Sequence, residues 1–187
     1  FLNNKKNLII LLSIMIILLV GYFSYDEIKE RNKIKLANQF NLVIINFKFE
    51  DKQKTIDDLI KVINQNDVTY SPLALYFLID NNLIENKDEV NSLFDELTSK
   101  TKLDKEIKNL IIYKKALYNS NFASENDLLQ ILNPIINSES IWKSHALYLI
   151  AEYFYSKNEK KKAKEFFNQI LILKNSNNDI KIQSQKR

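Results

Sequence analysis

"HALYLIAEYFYSKNEKKKAKEFFNQIL", residues 145–171, holds two short amphipathic patterns separated by one polar turn. In each pattern apolar side chains recur at spacings of three and four, which places them on one face of a helix with about 3.6 residues per turn. The positions are Leu147, Ile150, Ala151, Phe154, Ala163, Phe167 and Ile170. The stretch therefore predicts two helices that pack back to back.

Five lysines surround this turn: Lys157, Lys160, Lys161, Lys162 and Lys164. They are interleaved with Glu159 and Glu165, and we expect Lys161 to pair with Glu165 one helical turn later. We interpret the cluster mainly as a solvated turn and outer helix face. The alternative is a docking patch for an anionic partner.

The composition favours helices and argues against most enzyme classes. The 187 residues include one Gly, two Pro, one His and no Cys. Since Gly and Pro mark hairpins and phosphate loops, their scarcity predicts an all-α protein. Without Cys, and with one His, the chain offers no thiolate or His-rich metal site, and no nucleotide-binding or hydrolase motif occurs. We expect no enzyme, no catalytic residue, no cofactor and no metal.

The charge balance argues against nucleic acid as a partner. From Asp26 onward the chain has 25 basic and 23 acidic residues. Nucleic-acid binders usually show a strong basic excess on one face. The expected partners are therefore proteins, with no small-molecule substrate.

The N-terminal part reads as a membrane anchor. Residues 1–7 form a short basic segment with Lys5 and Lys6, and residues 8–25 contain no charge. About 20 such residues span a bilayer core, and Tyr22 and Tyr25 suit its far interface. No small-residue cleavage site follows, so we predict an uncleaved transmembrane anchor. The alternative is a buried core helix.

Flanking charges leave the membrane orientation open. Lys5 and Lys6 precede the apolar run and favour a cytosolic N-terminus. On the other side, basic residues also lie within the window that this rule counts: Lys29, Arg31, Lys33 and Lys35. Charge alone therefore does not decide the orientation.

The helix-pair pattern recurs along residues 26–187. The shift from Ile56 to Val90 is 34 residues, the tetratricopeptide period. The two earlier copies comprise Phe40, Val43, Ile44, Phe47, Ile56, Ile60 and Ile63, and then Ala74, Phe77, Leu78, Asn81, Val90, Phe94 and Leu97. A third copy, which needs a two-residue loop insertion, comprises Leu110, Tyr113, Leu117, Leu128, Leu132 and Ile135. We predict an α-solenoid of about four divergent helix pairs.

Several residues mark expected helix ends. Ser71 before Pro72 predicts an N-cap with proline at the first helical position. Acidic residues expected in first helical turns are Asp57, Asp58, Asp88 and Glu89, while Pro134 should kink its helix or end it early. From Leu8 to about Phe49 the pattern predicts one rod of roughly 42 residues, with a break at Asn32–Asn38 as the alternative. Residues 179–187 could form a capping helix or a tail.

The last unit resembles a tetratricopeptide repeat, with Ala151 in the small-residue position. It departs from that pattern at four positions: Leu147 for Trp, Asn158 for the loop Gly, Ile170 for a small residue and Asn175 for the final Pro. A short basic N-terminus, one span and four divergent repeats, with "SIWKSHALYLIAEY" opening the last one, resemble the tetratricopeptide-like ancillary subunit family of the bacterial Sec translocon.

This resemblance implies a location and a role. The family is anchored in the bacterial inner membrane by a single pass, with a cytosolic N-terminus and periplasmic repeats. It associates with translocon subunits and periplasmic chaperones. The resemblance thus implies a scaffold that holds chaperones or emerging secreted clients. The alternative is an accessory or assembly subunit of another membrane complex that clamps one fixed partner.

The repeat register predicts a concave partner-binding groove. Its principal residues are Lys48, Ile79, Lys115, Tyr118, His145, Tyr148, Glu152 and Tyr155, and the same register includes Asn41, Ile45, Leu75 and Ile111. Tyrosines with a polar tip suit interface hot spots, which favours Tyr118, Tyr148 and Tyr155. We expect His145 to be a polar contact and Trp142 to pack in the core or between repeats.

Overall fold

The computed structural model describes residues 3–48 and 51–187, and the regular structure of this part is all helical. Its nine helices are α1 (Asn3–Ile45), α2 (Lys52–Ile63), α3 (Tyr70–Asp80), α4 (Lys87–Lys100), α5 (Lys105–Asn119), α6 (Glu125–Ile136), α7 (Lys143–Ser156), α8 (Lys160–Ile172) and α9 (Asn178–Gln185). The prediction of an all-α protein is confirmed.

Helix α1 is one unbroken helix of 43 residues, about 65 Å long. It includes Lys5 of the basic segment and passes through Asn32–Asn38 without a break. The predicted rod is therefore confirmed as far as Ile45, but α1 ends there, earlier than the predicted end near Phe49, because residues 46–48 are not helical. Phe49 itself lies outside the described residues. The first two residues of segment 1–7 also lie outside them.

The two halves of α1 have different surroundings. Every side chain from residue 8 to residue 25 is exposed, whereas Leu36 and Phe40 are buried in the helical array that follows. Among the described residues, α1 is the one helix long and apolar enough to cross a membrane. Its most apolar 18-residue window has a mean hydropathy of 2.5, and none of that window is buried. That exposure does not fit a buried core helix.

Helices α2 to α9 continue from α1 as a chain of neighbours. Each helix contacts the next, most extensively α7 with α8, and odd-numbered helices also touch in the pairs α1–α3, α5–α7 and α7–α9. Buried side chains form two core clusters, one from α1 to α4 with Ile111 and one from Ala116 to α8. The two clusters meet at α5.

The predicted pairing of α7 with α8 is confirmed. All seven apolar positions identified in residues 145–171 are at most 4% exposed, from Leu147 to Ile170. Ala151 and Ala163, both buried, let the two helices approach closely. Phe154 also stacks on the ring of Phe166 at 5.6 Å between centroids.

The predicted register of α5 is wrong. Leu117, expected in the core, is 43% exposed, while Ala116 and Ile111 are fully buried. The reason is that α5 buries two faces, with Ile111 in the first cluster and Ala116 in the second, so one amphipathic stripe does not describe it. Ala116 stands twelve residues before Leu128, as Ala151 does before Ala163, so no loop insertion is needed.

The start of α3 differs from the prediction. The helix begins at Tyr70, and Ser71 is a buried helical residue whose hydroxyl donates to the Val62 carbonyl at 2.9 Å. The cap is supplied instead by Asp67, whose carboxylate accepts from the backbone N–H groups of Thr69 and Tyr70 at 2.8 Å. The proline after Ser71 is third in the helix, still within the first turn, where a missing donor costs little.

The acidic residues of α2 are also placed differently. Because α2 begins at Lys52, Asp57 and Asp58 lie in its second turn, outside the reach of the helix N-terminus. Their carboxylates accept local side-chain bonds instead, from Gln53 at 2.9 Å and from Lys61 at 2.8 Å. The prediction that they lie in the first turn and interact with the helix dipole is wrong.

Two other helix ends agree with the sequence. Asp88 and Glu89 lie in the first turn of α4, where the Asn86 side chain accepts from both of their backbone N–H groups. Pro134 lies inside α6, which ends two residues later at Ile136. Both features follow from local chemistry alone.

Asparagines take the left-handed turn positions in place of glycine. Asn66, Asn82 and Asn158 have φ values of 54°, 50° and 62°. Asparagine tolerates this region better than other side chains, so Asn158 can stand where a repeat usually has glycine. The following N–H of Glu159 donates to the Phe154 carbonyl at 2.9 Å and closes α7.

We predict that Leu132→Ala and Leu117→Ala have very different effects on stability. Leu132 is fully buried in the second core cluster, so its truncation should lower the free energy of unfolding by about 2–5 kcal/mol. Leu117→Ala should cost less than about 1 kcal/mol, since that side chain is largely exposed. Urea denaturation of the full chain in mild detergent measures both. Equal losses would show that the register of α5 is not the one described.

Candidate functional site

The predicted groove residues do not form one surface. Lys48 is exposed just beyond α1, and Ile79 is partly buried against the first core cluster. Leu75 and Ile111 are fully buried, so the prediction that they line a groove is wrong. Asn41 and Ile45 are exposed on α1, and the remaining six residues fall into three separate places on α5 and α7.

One place is the C-terminal cluster, formed by Tyr148, Glu152, Tyr155 and Arg187. The Arg187 guanidinium donates two hydrogen bonds to the Glu152 carboxylate, both at 2.9 Å, and lies 4.7 Å from the centre of the Tyr155 ring. Such bidentate pairs are the stronger ion pairs. Burial raises the pKa of Tyr148, and the Glu152 charge adds to that increase. Three predicted groove residues are thus brought together, but Arg187, which follows α9, contacts them.

Helix α9 reaches this cluster because its start is anchored. The Asn177 side chain accepts hydrogen bonds from the backbone N–H groups of Asp179 and Ile180. The backbone N–H of Asn177 donates to the Ser144 hydroxyl of α7 at 3.3 Å. The helix then packs on α7 and α8. Of the two readings of residues 179–187, the structure shows a docked helix rather than a tail.

A second place is the aromatic trio of Tyr113, Trp142 and His145, between α5 and α7. The Tyr113 and Trp142 rings stack at 5.9 Å, and His145 lies 5.1 Å from Trp142 and 5.9 Å from Tyr113. His145 Nδ1 is buried and has no partner in good hydrogen-bond geometry. Burial lowers the pKa of His145, while the Ile141 carbonyl acts in the opposite direction to a smaller extent. The trio packs α5 against α7, as was expected of Trp142.

The third place is a cleft across α4, α5 and α6, with a volume of about 730 Å³. We call it the α4–α6 cleft; its lining includes Lys87, Asn91, Asp95, Lys115, Asn119 and Phe122. Of the predicted groove residues only Lys115 lines it. Its side chain is 16% exposed and its Nζ lies 2.6 Å from the Asp95 carboxylate.

Two asparagines hold the floor of the α4–α6 cleft together. Asn91 and Asn119 exchange hydrogen bonds at 3.0 and 2.7 Å, and their remaining N–H groups donate to carbonyls of their own helices. All four amide N–H bonds are therefore used within the protein. The pair joins α4 to α5 and has no donor left for a ligand.

The open side of the α4–α6 cleft carries an aromatic side chain with a cation above it. Phe122 is 40% exposed, and Lys87 Nζ lies 3.9 Å from its ring centre. Tyr118, a predicted groove residue, supports Phe122 edge-on at 5.4 Å and packs on Phe94 at 6.3 Å. Burial raises the pKa of Tyr118. Tyr118 thus packs beneath Phe122 and holds it in place, and Phe122 is the ring that is exposed at this site.

Sequence reasoning missed Lys87, Asn91, Asp95, Asn119 and Phe122. A weak signal existed: each asparagine follows a lysine by four residues, as Lys87 precedes Asn91 and Lys115 precedes Asn119. That spacing puts each pair on one helix face. Nothing in the sequence shows that the two faces meet.

The lysine cluster of residues 157–164 is partly neutralised, but through Lys162 rather than through the expected pair of Lys161 and Glu165. Lys162 lies 2.8 Å from carboxylate oxygens of both Glu125 and Glu159, which raises its pKa. Among the ion pairs of the described chain there is none between Lys161 and Glu165, so that prediction is wrong. Lys162 joins α8 to α6.

Within residues 3–48 and 51–187 no group of three or more His, Cys, Asp or Glu side chains is placed to hold a metal ion. No family model, curated protein or solved structure matches this chain.

We predict that Arg187→Gln loosens α9. The ion pair with Glu152 is partly exposed, so its loss should be modest: hydrogen exchange of the α9 amides should speed up roughly 2- to 5-fold. Glu152→Gln should do the same, and the double variant should add nothing further. Lys186→Gln, next in the chain and without an ion pair in the described part, is the control. Unchanged exchange in Arg187→Gln would contradict the contact.

We predict that His145 lowers the free energy of unfolding in mild acid. In the unfolded chain the His145 imidazole takes up a proton near pH 6.5, whereas burial lowers its pKa in the folded chain. The free energy of unfolding should therefore fall as the pH drops below about 6.5. His145→Gln should reduce that fall between about pH 7.5 and pH 5.5. Urea titrations of both proteins at each pH measure the difference. An identical pH dependence would show that His145 titrates normally in the folded chain.

Proposed function

We propose that this chain is a non-enzymatic, membrane-anchored scaffold for protein partners. One observation carries the proposal: the exposed apolar segment, residues 8–25, and the buried Leu36 and Phe40 belong to the same unbroken helix α1. A helix without a break transmits position and orientation from one end to the other. The array is therefore held at a fixed distance from the membrane that residues 8–25 cross.

The array, residues 26–187, is proposed to consist of four tetratricopeptide-like helix pairs closed by α9. In each pair an inward-facing residue of the first helix stands twelve residues before one of the second: Ile44 and Ile56, Leu78 and Val90, Ala116 and Leu128, Ala151 and Ala163. Contacts between odd-numbered helices support a stacked arrangement. Such arrays usually end in a helix that covers the last core face, as α9 would.

The α4–α6 cleft is the proposed partner-binding surface. It is open, and it combines an exposed aromatic ring, Phe122, with Lys87 above it and the Lys115–Asp95 ion pair beside it. A partner segment that places an apolar side chain on Phe122 would gain most of its binding energy there. The C-terminal cluster is the weaker candidate because Arg187 already occupies it.

The specific role we propose is that of an ancillary factor of the Sec translocon. The resemblance of the layout and of residues 140–171 supports it. In this role the chain crosses the bacterial inner membrane once with a cytosolic N-terminus. The periplasmic array then holds chaperones or emerging clients beside the translocon.

We predict that the full chain, purified from membranes in mild detergent, retains translocon subunits or periplasmic chaperones. Phe122→Ala should reduce their recovery roughly 10-fold or more, since truncation of a central aromatic commonly costs about 2 kcal/mol of binding. The matched control is Leu117→Ala, a similarly exposed apolar side chain that does not line the α4–α6 cleft. Quantitative mass spectrometry measures recovery.

Three other outcomes of this purification would contradict or change the proposal. Absence of translocon and chaperone subunits from the wild-type preparation would contradict the Sec role. Stoichiometric recovery of one subunit of another membrane complex would support a clamp for one fixed partner instead. Equal recovery with Phe122→Ala and Leu117→Ala would contradict the α4–α6 cleft as the binding surface.

A further inference from the structure

A second concave surface lies where α1 leaves its apolar segment. It is a cavity of about 640 Å³ between α1 and the turn from α2 to α3, residues 65–67. Lys29, Lys33 and Lys35 of α1 line it together with Tyr25, the last residue of the uncharged run. We call these three lysines the lysine cradle.

The three lysines of the cradle outnumber the one carboxylate that lines the same cavity. None of its three ammonium groups has an ion pair among the described residues. Three carboxylates of α1 lie nearby, those of Asp26, Glu27 and Glu30, and none of them lines the cavity. That of Glu27 pairs with Arg31 at 2.6 Å. Asp67 is the one carboxylate in the lining, and its Oδ1 accepts from two backbone N–H groups.

The cradle begins at the height of a lipid headgroup layer and extends just beyond it. At about 1.5 Å per residue, Lys29 lies about 6 Å beyond Tyr25 along α1, and Lys33 and Lys35 lie about 12 and 15 Å beyond it. The headgroup region of a bilayer extends roughly 5–8 Å past the hydrocarbon core on each face. Long lysine side chains can reach back toward that layer with their ammonium groups.

We propose that the lysine cradle binds the phosphate of an anionic phospholipid headgroup. The inference rests on the membrane span of the proposed function and adds a second contact between the array and the bilayer. Lipid phosphate is concentrated at this height by the membrane itself, whereas free phosphate is not. A headgroup held between α1 and the turn at residues 65–67 would fix the side of the array that faces the membrane.

The test uses the full chain in mild detergent, titrated with phosphatidylglycerol or with phosphatidylcholine and analysed by native mass spectrometry. The triple variant Lys29→Gln, Lys33→Gln, Lys35→Gln should need on the order of 10- to 100-fold more phosphatidylglycerol for half occupancy. The matched control, Lys160→Gln, Lys161→Gln, Lys164→Gln, removes the same charge from exposed lysines of α8 and should bind as the wild type does.

Three results would overturn the proposal. They are equal loss in both triple variants, no preference of the wild type for phosphatidylglycerol, and displacement of the lipid by an equal concentration of inorganic phosphate. Carbonate extraction of membranes separates this failure from that of the proposed function. If the wild-type chain is extracted, the membrane span and the cradle both fail; if it stays in the membrane without lipid preference, the cradle alone fails.

Discussion

The continuous hydrogen-bonded backbone of α1 is the constraint on which the rest of the structure depends. Within a helix every interior N–H finds a carbonyl of the same helix, so the segment needs no outside partner in lipid, in water or in a protein core. Residues 8–25 can therefore expose apolar side chains on all sides while Leu36 and Phe40 pack into the array. The proposed scaffold and the proposed lipid contact both require that α1 does not bend between these two parts.

Most of the fold was predictable where one helix face is buried against one neighbour. In α7 and α8 the apolar spacing, the small residues and the polar turn all agree, and the predicted core residues are buried. The prediction failed for α5, where Ile111 and Ala116 bury opposite sides of one helix between two core clusters. It also failed at Ser71, because Asp67 caps α3 in its place, and at Asp57, because α2 begins at Lys52 and Asp57 lies in its second turn.

The candidate site was less predictable than the fold. A repeat register names positions on a helix face, but it does not say which neighbour covers them. Tyr148, Glu152 and Tyr155 were identified together and do lie together, yet Arg187, 35 residues from Glu152, fills the space beside them. Phe122 was missed because it lies in a loop, outside any helical period, and its exposure depends on how α4, α5 and α6 meet.

The most direct test of the account is a distance along α1 in a lipid bilayer. The chain has no Cys, so spin labels at Ser24→Cys and Leu42→Cys, both exposed and on the same face, would be the sole labelled sites. An unbroken helix places these positions about 27 Å apart, and electron paramagnetic resonance should give one narrow distance distribution there. A broad distribution, or one centred well below that distance, would show a break in α1 and contradict the account.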